Sequence, residues 1–272
     1  MELTGRTIVV TGGASGIGKA MAERFAMEAA QGVVVADIDE AGAIAAAAEV
    51  PGAAIGVGCD VTDEAQVNAL IDRAEQEFGT VDIFCANAGI GIGAGLEASD
   101  EAWKQVMDVN LMAHVYAARR LVPTWLERGE GYFVSTASAA GMLSQIGDVT
   151  YTVSKHGAVA FAEYLAITYG DRGLRVSCLC PMGVNTPLVQ RGLEMEGPEG
   201  LGAKIVAASG ELLDPADVAK DVMAALREER FFILPHPVVG EFYRRKGDDH
   251  DRWLNGMRRL QARVEEAVRQ AG

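Results

Sequence analysis

Along this chain, short runs of apolar and β-branched residues alternate with longer stretches whose apolar positions recur every three to four residues. Residues 7–11 predict a strand and 16–30 a helix. The pattern repeats at 33–37 and 40–49, then at 53–57 and 64–78, which is βαβαβα. Residues 81–86 predict a fourth strand, followed by a helical stretch over 101–127 that is broken or bent near Asn110 and Pro123. Next come a strand at 132–135, a helix at 151–169, a strand at 175–179, a helix at 215–228 and a short last strand at 231–234. The strands are nearly continuous apolar runs, as expected where helices cover both faces of a parallel sheet. A doubly wound α/β sheet follows, and its ligands should bind beyond the carboxyl ends of the strands.

Composition narrows this picture. A chain of 272 residues is long enough for one large α/β domain and shows no second composition regime. The net charge of −14 argues against a nucleic-acid partner, which needs a basic face, and disfavours anionic membrane surfaces. Cys59, Cys85, Cys178 and Cys180 lie in or beside apolar runs without zinc-site spacing, so buried, reduced thiols and no metal are expected. Residues 1–6 contain no apolar signal region, and no run of about 18 apolar residues could span a bilayer. A cytoplasmic protein is the expectation.

Candidate chemistry falls after the strands. Thr11-Gly12-Gly13-Ala14-Ser15-Gly16-Ile17-Gly18 follows the first strand and opens the first helix, where glycines permit close backbone approach and helix N–H groups favour a pyrophosphate. Asp37 ends the second strand near the spacing at which a carboxylate meets adenosine ribose hydroxyls, so NAD is favoured over NADP. Asp60-Val61 after the third strand suits an adenine contact or, about equally, a helix N-cap.

Together with Asn87-Ala88-Gly89, Ser138 and Tyr151-Thr152-Val153-Ser154-Lys155, these motifs resemble those of the short-chain dehydrogenases/reductases, in that family's order over residues 3–234. The resemblance implies a Rossmann-type, seven-stranded parallel sheet with helices on both faces, bound NAD, and a homo-oligomer (dimer or tetramer). It assigns Gly12, Ser15, Ile17 and Gly18 to the pyrophosphate, Asp37 to the ribose, and Asp60 and Val61 to the adenine. Asn87, Ala88 and Gly89 would lie along the cofactor, and Pro181, Gly183, Val184 and Thr186 would embrace the nicotinamide. Asn110, Ser138, Tyr151 and Lys155 match the catalytic positions, Asn110 holding a water in a proton relay and Tyr151 and Lys155 also contacting cofactor.

Three departures stand out: Ala86 where the family commonly has Asn, Met182 where it usually has Gly, and Leu234-Pro235-His236-Pro237 with a longer tail in place of a Gly-rich ending.

The chemistry also follows from the residues. Tyr151 and Lys155, four apart on a helix, share one face. A Tyr hydroxyl with an ordinary pKa near 10 is a poor base unless positive charge stabilises its phenolate; Lys155 and the cationic nicotinamide would supply it. Tyr151 would then move the proton of an alcohol while its hydride passes to NAD, with Ser138 orienting the oxygen. Taken alone, either motif reads better as an ordinary helical pair or a turn residue, and it is their joint presence that points to chemistry. His114, His156, His236 and His250 read as non-catalytic.

Residues 141–148 and a lid over about 186–211 should border the substrate. Met142, Leu143, Leu188, Val189, Leu193 and Met195 suggest a hydrophobic secondary alcohol or ketone, or else simply pack the lid. In the tail, about 240–272, Trp253, Met257, Leu260, Val264 and Val268 make an amphipathic helix that packs on its own domain, on a second subunit or over the site. Two other functions keep the same motifs: a non-enzymatic NAD sensor or scaffold, and an NAD-assisted isomerase or epimerase.

Overall fold

Seven parallel strands form one sheet: β1 (Thr7–Thr11), β2 (Gly32–Asp37), β3 (Ala54–Gly58), β4 (Val81–Ala86), β5 (Gly131–Thr136), β6 (Leu174–Leu179) and β7 (Phe232–Ile233). Their order, β3-β2-β1-β4-β5-β6-β7, reverses direction between β1 and β4, which opens a crevice beyond the carboxyl ends at that point. This computed structural model describes residues 1–195, 197–208 and 210–271, without side-chain surroundings at 198–199 and 267–271.

The helices are α1 (Gly16–Ala26), α2 (Glu40–Glu49), α3 (Glu64–Phe78), α4 (Asp100–Met107), α5 (Ala113–Arg128), α6 (Ala140–Leu143), α7 (Val149–Tyr169), α8 (Pro187–Glu194), α9 (Leu201–Ala208), α10 (Pro215–Glu228), α11 (Pro237–Asp248) and α12 (His250–Ala271). Successive strand side chains point to opposite faces. In β1, Val9 joins a core with Ile71 of α3, Trp125 of α5 and Ala158 of α7. Its neighbours Ile8 and Val10 join a second core with Met21 of α1, Ala43 of α2 and Val222 of α10. Both faces are covered, which explains the unbroken apolar runs.

Several boundaries differ from the sequence expectation. The first helix stops at Ala26, and the chain turns through Ala29 at φ 57° instead of continuing to residue 30. Between α4 and α5 the chain makes a π-helical turn, Asp108–Met112, centred on Asn110, so the expected bend is there. No break occurs at Pro123: it lies on the exposed side of α5, where the carbonyl freed four residues earlier can meet water. The segment expected to be a lid, 186–211, contains α8 and α9, and the tail holds two helices. The stripe of Trp253, Met257, Leu260 and Val264 is half-buried, with Trp253 against Phe242 at 6.1 Å, while the side chain of Val268 lies outside the described residues.

Candidate active site

The turn from Gly12 to Gly18 leaves β1 with Gly12 at φ 63°, a conformation that disfavours side chains. A Cβ on Gly12 would stand 2.9 Å from Ala88 Cα, and one on Gly18 would stand 2.1 Å from Gly12 O. Ser15 is the N-cap of α1 but its side chain makes no capping hydrogen bond, so the first-turn amides stay available to an anion. Ile17 is half-buried behind them. At the end of β2, Asp37 Oδ2 accepts from Ala14 N at 3.1 Å, which sets a carboxylate beside the turn. A tight glycine cradle, open helix amides and this acid fit a dinucleotide.

Asn87 locks the segment after β4 to this turn. Its Nδ2 donates to Thr11 O and Gly12 O at 3.0 and 3.3 Å, and its Oδ1 accepts from Thr136 Oγ1 at 3.1 Å. Thr11 Oγ1 accepts from the amides of Asn87 and Ala88 at 3.0 and 3.1 Å. Thr186 caps α8 and approaches from the far side, its Cγ2 3.0 Å from where a Cβ on Gly16 would sit.

Asp60 holds the loop after β3. Its Oδ1 accepts from Thr62 N and Oγ1 at 2.9 and 2.7 Å, closing its own loop, and Val61 is buried in the core. The cap of α3 is Asp63, which accepts from Ala65 N at 2.9 Å, so the helix-cap alternative belongs to Asp63 and not to Asp60.

Ser138, Tyr151 and Lys155 converge beyond β5. Ser138 Oγ accepts from Ala140 N at 3.1 Å, at the start of α6. Lys155 is buried; its Nζ donates to Thr136 O at 2.9 Å and lies 5.6 Å from the Tyr151 ring centroid. It also stands 3.2 Å from where a Cβ on Gly89 would be. Burial lowers the Lys155 pKa to about 8. Burial raises that of Tyr151, the Ser138 hydroxyl opposes this, and Asp148 adds to the rise. In the protein alone, burial is the largest influence on Tyr151.

Asn110 is fully buried. Its Oδ1 accepts from Ile90 N at 2.9 Å, and its Nδ2 donates to Ile90 O at 2.8 Å and Ser154 Oγ at 3.0 Å. It pins the segment after Gly89 to α7.

A cavity of about 170 Å³ opens in front of Tyr151 and Ser138. Met182, Leu188, Val189, Met195 and Val206 line it, together with Gln145. Leu193 is not among its lining residues, and Met142 and Leu143, on α6 itself, are buried in the core. Apolar character alone could not tell these two fates apart.

A model of the short chain dehydrogenase family matches residues 6–197. The chain belongs to that family. It is 40% identical over 241 residues to a 1-deoxy-11-beta-hydroxypentalenate dehydrogenase of Streptomyces exfoliatus, covering 86% of this chain and 84% of that one. It is 37% identical over 208 residues to 3beta-hydroxysteroid dehydrogenase 2 of Eggerthella lenta, covering 74% and 78%. A short chain dehydrogenase/reductase from Burkholderia phymatum, solved in complex with NAD, superposes with TM-score 0.83 at 33% identity over 92% of this chain and 96% of its own.

In this short-chain dehydrogenase, sequence reasoning missed the part played by Asp148. Its Oδ1 accepts from Tyr151 N and Thr150 Oγ1, both at 2.8 Å, and its Oδ2 accepts from Ile92 N and Gly93 N at 3.1 and 2.8 Å. One buried carboxylate thus caps the helix carrying Tyr151 and ties it to the loop after β4. Its position three residues before Tyr151 was the available signal. Of the four histidines, His114 is buried with its Nδ1 3.1 Å from Ser135 Oγ, and burial lowers its pKa to about 3. His156 Nδ1 lies 2.9 Å from Thr152 O within its own helix. Among the described residues no cluster suits a metal ion and no helix is long and apolar enough to cross a membrane.

Proposed function

We propose that this short-chain dehydrogenase is an NAD-dependent oxidoreductase that interconverts a hydrophobic secondary alcohol and its ketone, with Tyr151 as the general acid and base. The observation that carries the reading is the meeting of Ser138, Tyr151 and buried Lys155 at the mouth of an apolar cavity. NAD, when bound, supplies the hydride acceptor. Ser138 orients the substrate oxygen toward Tyr151, and Tyr151 takes the alcohol proton or returns it to the ketone. Lys155 holds its charge next to Tyr151 and contacts the cofactor ribose.

Three of the four hydrogen-bonding positions of the Asn110 side chain are used among the described residues, and the remaining Oδ1 lone pair is the place for a relay water. Gly12, Ser15, Ile17 and Gly18 receive the pyrophosphate, Asp37 the ribose, and Asn87, Ala88 and Gly89 flank the cofactor. Pro181, Gly183, Val184 and Thr186 close over the nicotinamide, beneath a substrate lid at about 186–211.

The same reading makes the protein a cytoplasmic homo-oligomer built from one catalytic domain. Four buried, unpaired cysteines support a reducing compartment. On α7, Ile167 is 84% exposed and Tyr164 55%, apolar surface that suits a second copy of the chain. Substrates named for the relatives, a hydroxypentalenate and a hydroxysteroid, are polycyclic alcohols of the kind an apolar cavity takes. The test is a panel of secondary alcohols with NAD, followed at about 340 nm, where reduced cofactor absorbs. Reduced cofactor should form with apolar alcohols; a protein that binds NAD yet reduces none of it across the panel would refute the reading.

A further inference from the structure

Segment 181–185, between β6 and α8, is held largely by backbone partners. Pro181 O accepts from Ala139 N at 2.8 Å, Gly183 O accepts from Leu213 N at 3.0 Å, and Asn185 N donates to Leu213 O at 2.9 Å. Val184 and Leu213 form an isolated parallel bridge. Among the described residues the amide of Met182 finds no backbone acceptor. It donates instead to Nδ1 of His236, 3.2 Å away, and the other ring nitrogen of His236 lies 3.3 Å from the carbonyl oxygen of Glu211.

His236 is buried, in the segment where the chain departs from its family's Gly-rich ending. Only one state of the ring satisfies both contacts. Nδ1 must be bare to accept from Met182, and Nε2 must carry the proton to donate to Glu211, which is the neutral imidazole. We infer that His236 is a positioning residue, a latch that fixes the nicotinamide-facing segment and the end of the lid to the last strand so that the two move together. This rests on the proposed NAD-dependent function.

The packing around the latch gives it leverage. Met182 lines the cavity, and its Cε is 3.3 Å from where a Cβ on Gly210 would sit; Leu212 Cδ2 is 2.7 Å from where one on Gly183 would sit. A displaced Met182 amide therefore shifts the cavity wall and the lid end at once. A buried amide deprived of its acceptor is unfavourable. An apolar ring at 236 would therefore favour arrangements in which segment 181–185 swings out to water.

Three substitutions separate the two contacts. His236→Phe keeps a ring and removes both. His236→Asn places a carbonyl oxygen two bonds from Cβ, as Nδ1 is, and keeps the Met182 contact. His236→Gln places an amide nitrogen three bonds from Cβ, as Nε2 is, and keeps the Glu211 contact. The readouts are NADH affinity by fluorescence without turnover, amide hydrogen exchange over 180–186 and 205–214, the KM for alcohol, and the melting temperature. In His236→Phe, NADH should bind about tenfold more weakly, the loss expected for one hydrogen bond, and both segments should exchange faster. His236→Asn should recover NADH affinity while the lid end still exchanges fast and the alcohol KM stays high. His236→Gln should show the converse.

Wild-type exchange and affinity in His236→Phe would overturn the latch. Equal impairment of all three variants, tracking a common drop in melting temperature, would overturn it too. A wild-type protein that does not bind NADH overturns the cofactor reading alone, and the exchange pattern still decides the latch.

Discussion

Replacing Lys155 by Met should abolish turnover and yet stabilise the fold. The side chain is 2% exposed, and its Nζ makes one hydrogen bond, to Thr136 O. Burial carries its pKa from 10.5 to about 8, against an opposing effect of the Cys178 and Cys180 thiols. That difference of about 2.5 pH units, at about 1.36 kcal/mol each, is a penalty of roughly 3 kcal/mol on the charged form. Because the folded-state pKa is the lower one, the penalty is complete below about pH 8. It fades as pH rises through the unfolded value near 10.5.

Met keeps the volume and removes the charge, but it forfeits a charge-assisted hydrogen bond worth roughly 1.5 kcal/mol, leaving a net gain of about 1–2 kcal/mol. For a domain of this size that is a rise in Tm of roughly 2–8 °C. The assay is thermal unfolding of both proteins without NAD, at equal protomer concentration, in steps from neutral to strongly alkaline pH. The variant should melt higher at neutral pH, and the gap should shrink as pH climbs from about 8 past 10.5, where wild-type stability catches up. A variant that melts below wild type at neutral pH, or a gap that stays level throughout, would refute the argument that this lysine is held at the expense of stability.

Tyr151→Phe should keep its melting temperature and NAD affinity while turnover falls by at least about a hundredfold; near-normal kcat would remove Tyr151 from the chemistry. Asp37→Ser with Ile38→Arg should move the ratio of kcat/KM for NAD and NADP toward NADP by up to about 3 kcal/mol, since Ile38 is 76% exposed and free to become Arg. An unmoved ratio would take Asp37 off the ribose. Asp148→Ala strands four donors and should lower stability by about 3 kcal/mol or more in urea titrations; a loss under about 1 kcal/mol would mean that the loop relaxes to water. The folded pKa of His114, about 3, lies below its ordinary 6.5, so its contribution is intact above about pH 6.5 and falls away as acid is added. His114→Leu should therefore lose less stability than wild type between about pH 7 and 5, and equal losses would contradict this.

Elements were most legible where one local rule decided them. Tyr151 and Lys155 share a face because four residues make about one helical turn, and Asp37 ends a strand beside a glycine turn whose spacing is set by βα geometry. Contacts made across the fold were not legible. His236 meets Met182 across 54 residues and Glu211 across 25, a meeting decided by how the chain leaves β7. The sequence also marks Met142 and Leu188 equally as apolar, though one faces the core and the other the cavity. At α8 the cue was present, since Thr186 followed by Pro187 is a helix start, but a long connection masked it.

The segment proposed as a lid has an unusual thermodynamic position. No residue of α8 is fully buried, and in α9 only Gly202 is, while Leu188 and Val189 of α8 and Ala203 and Val206 of α9 line the cavity. An apolar substrate would complete their hydrophobic core as well as its own burial. Calorimetric titration should then record a heat-capacity decrease larger than the ligand's own surface accounts for. The same substrate should also shield the 187–208 backbone from proteolysis, so that the ligand acts as part of the folded lid while it reacts.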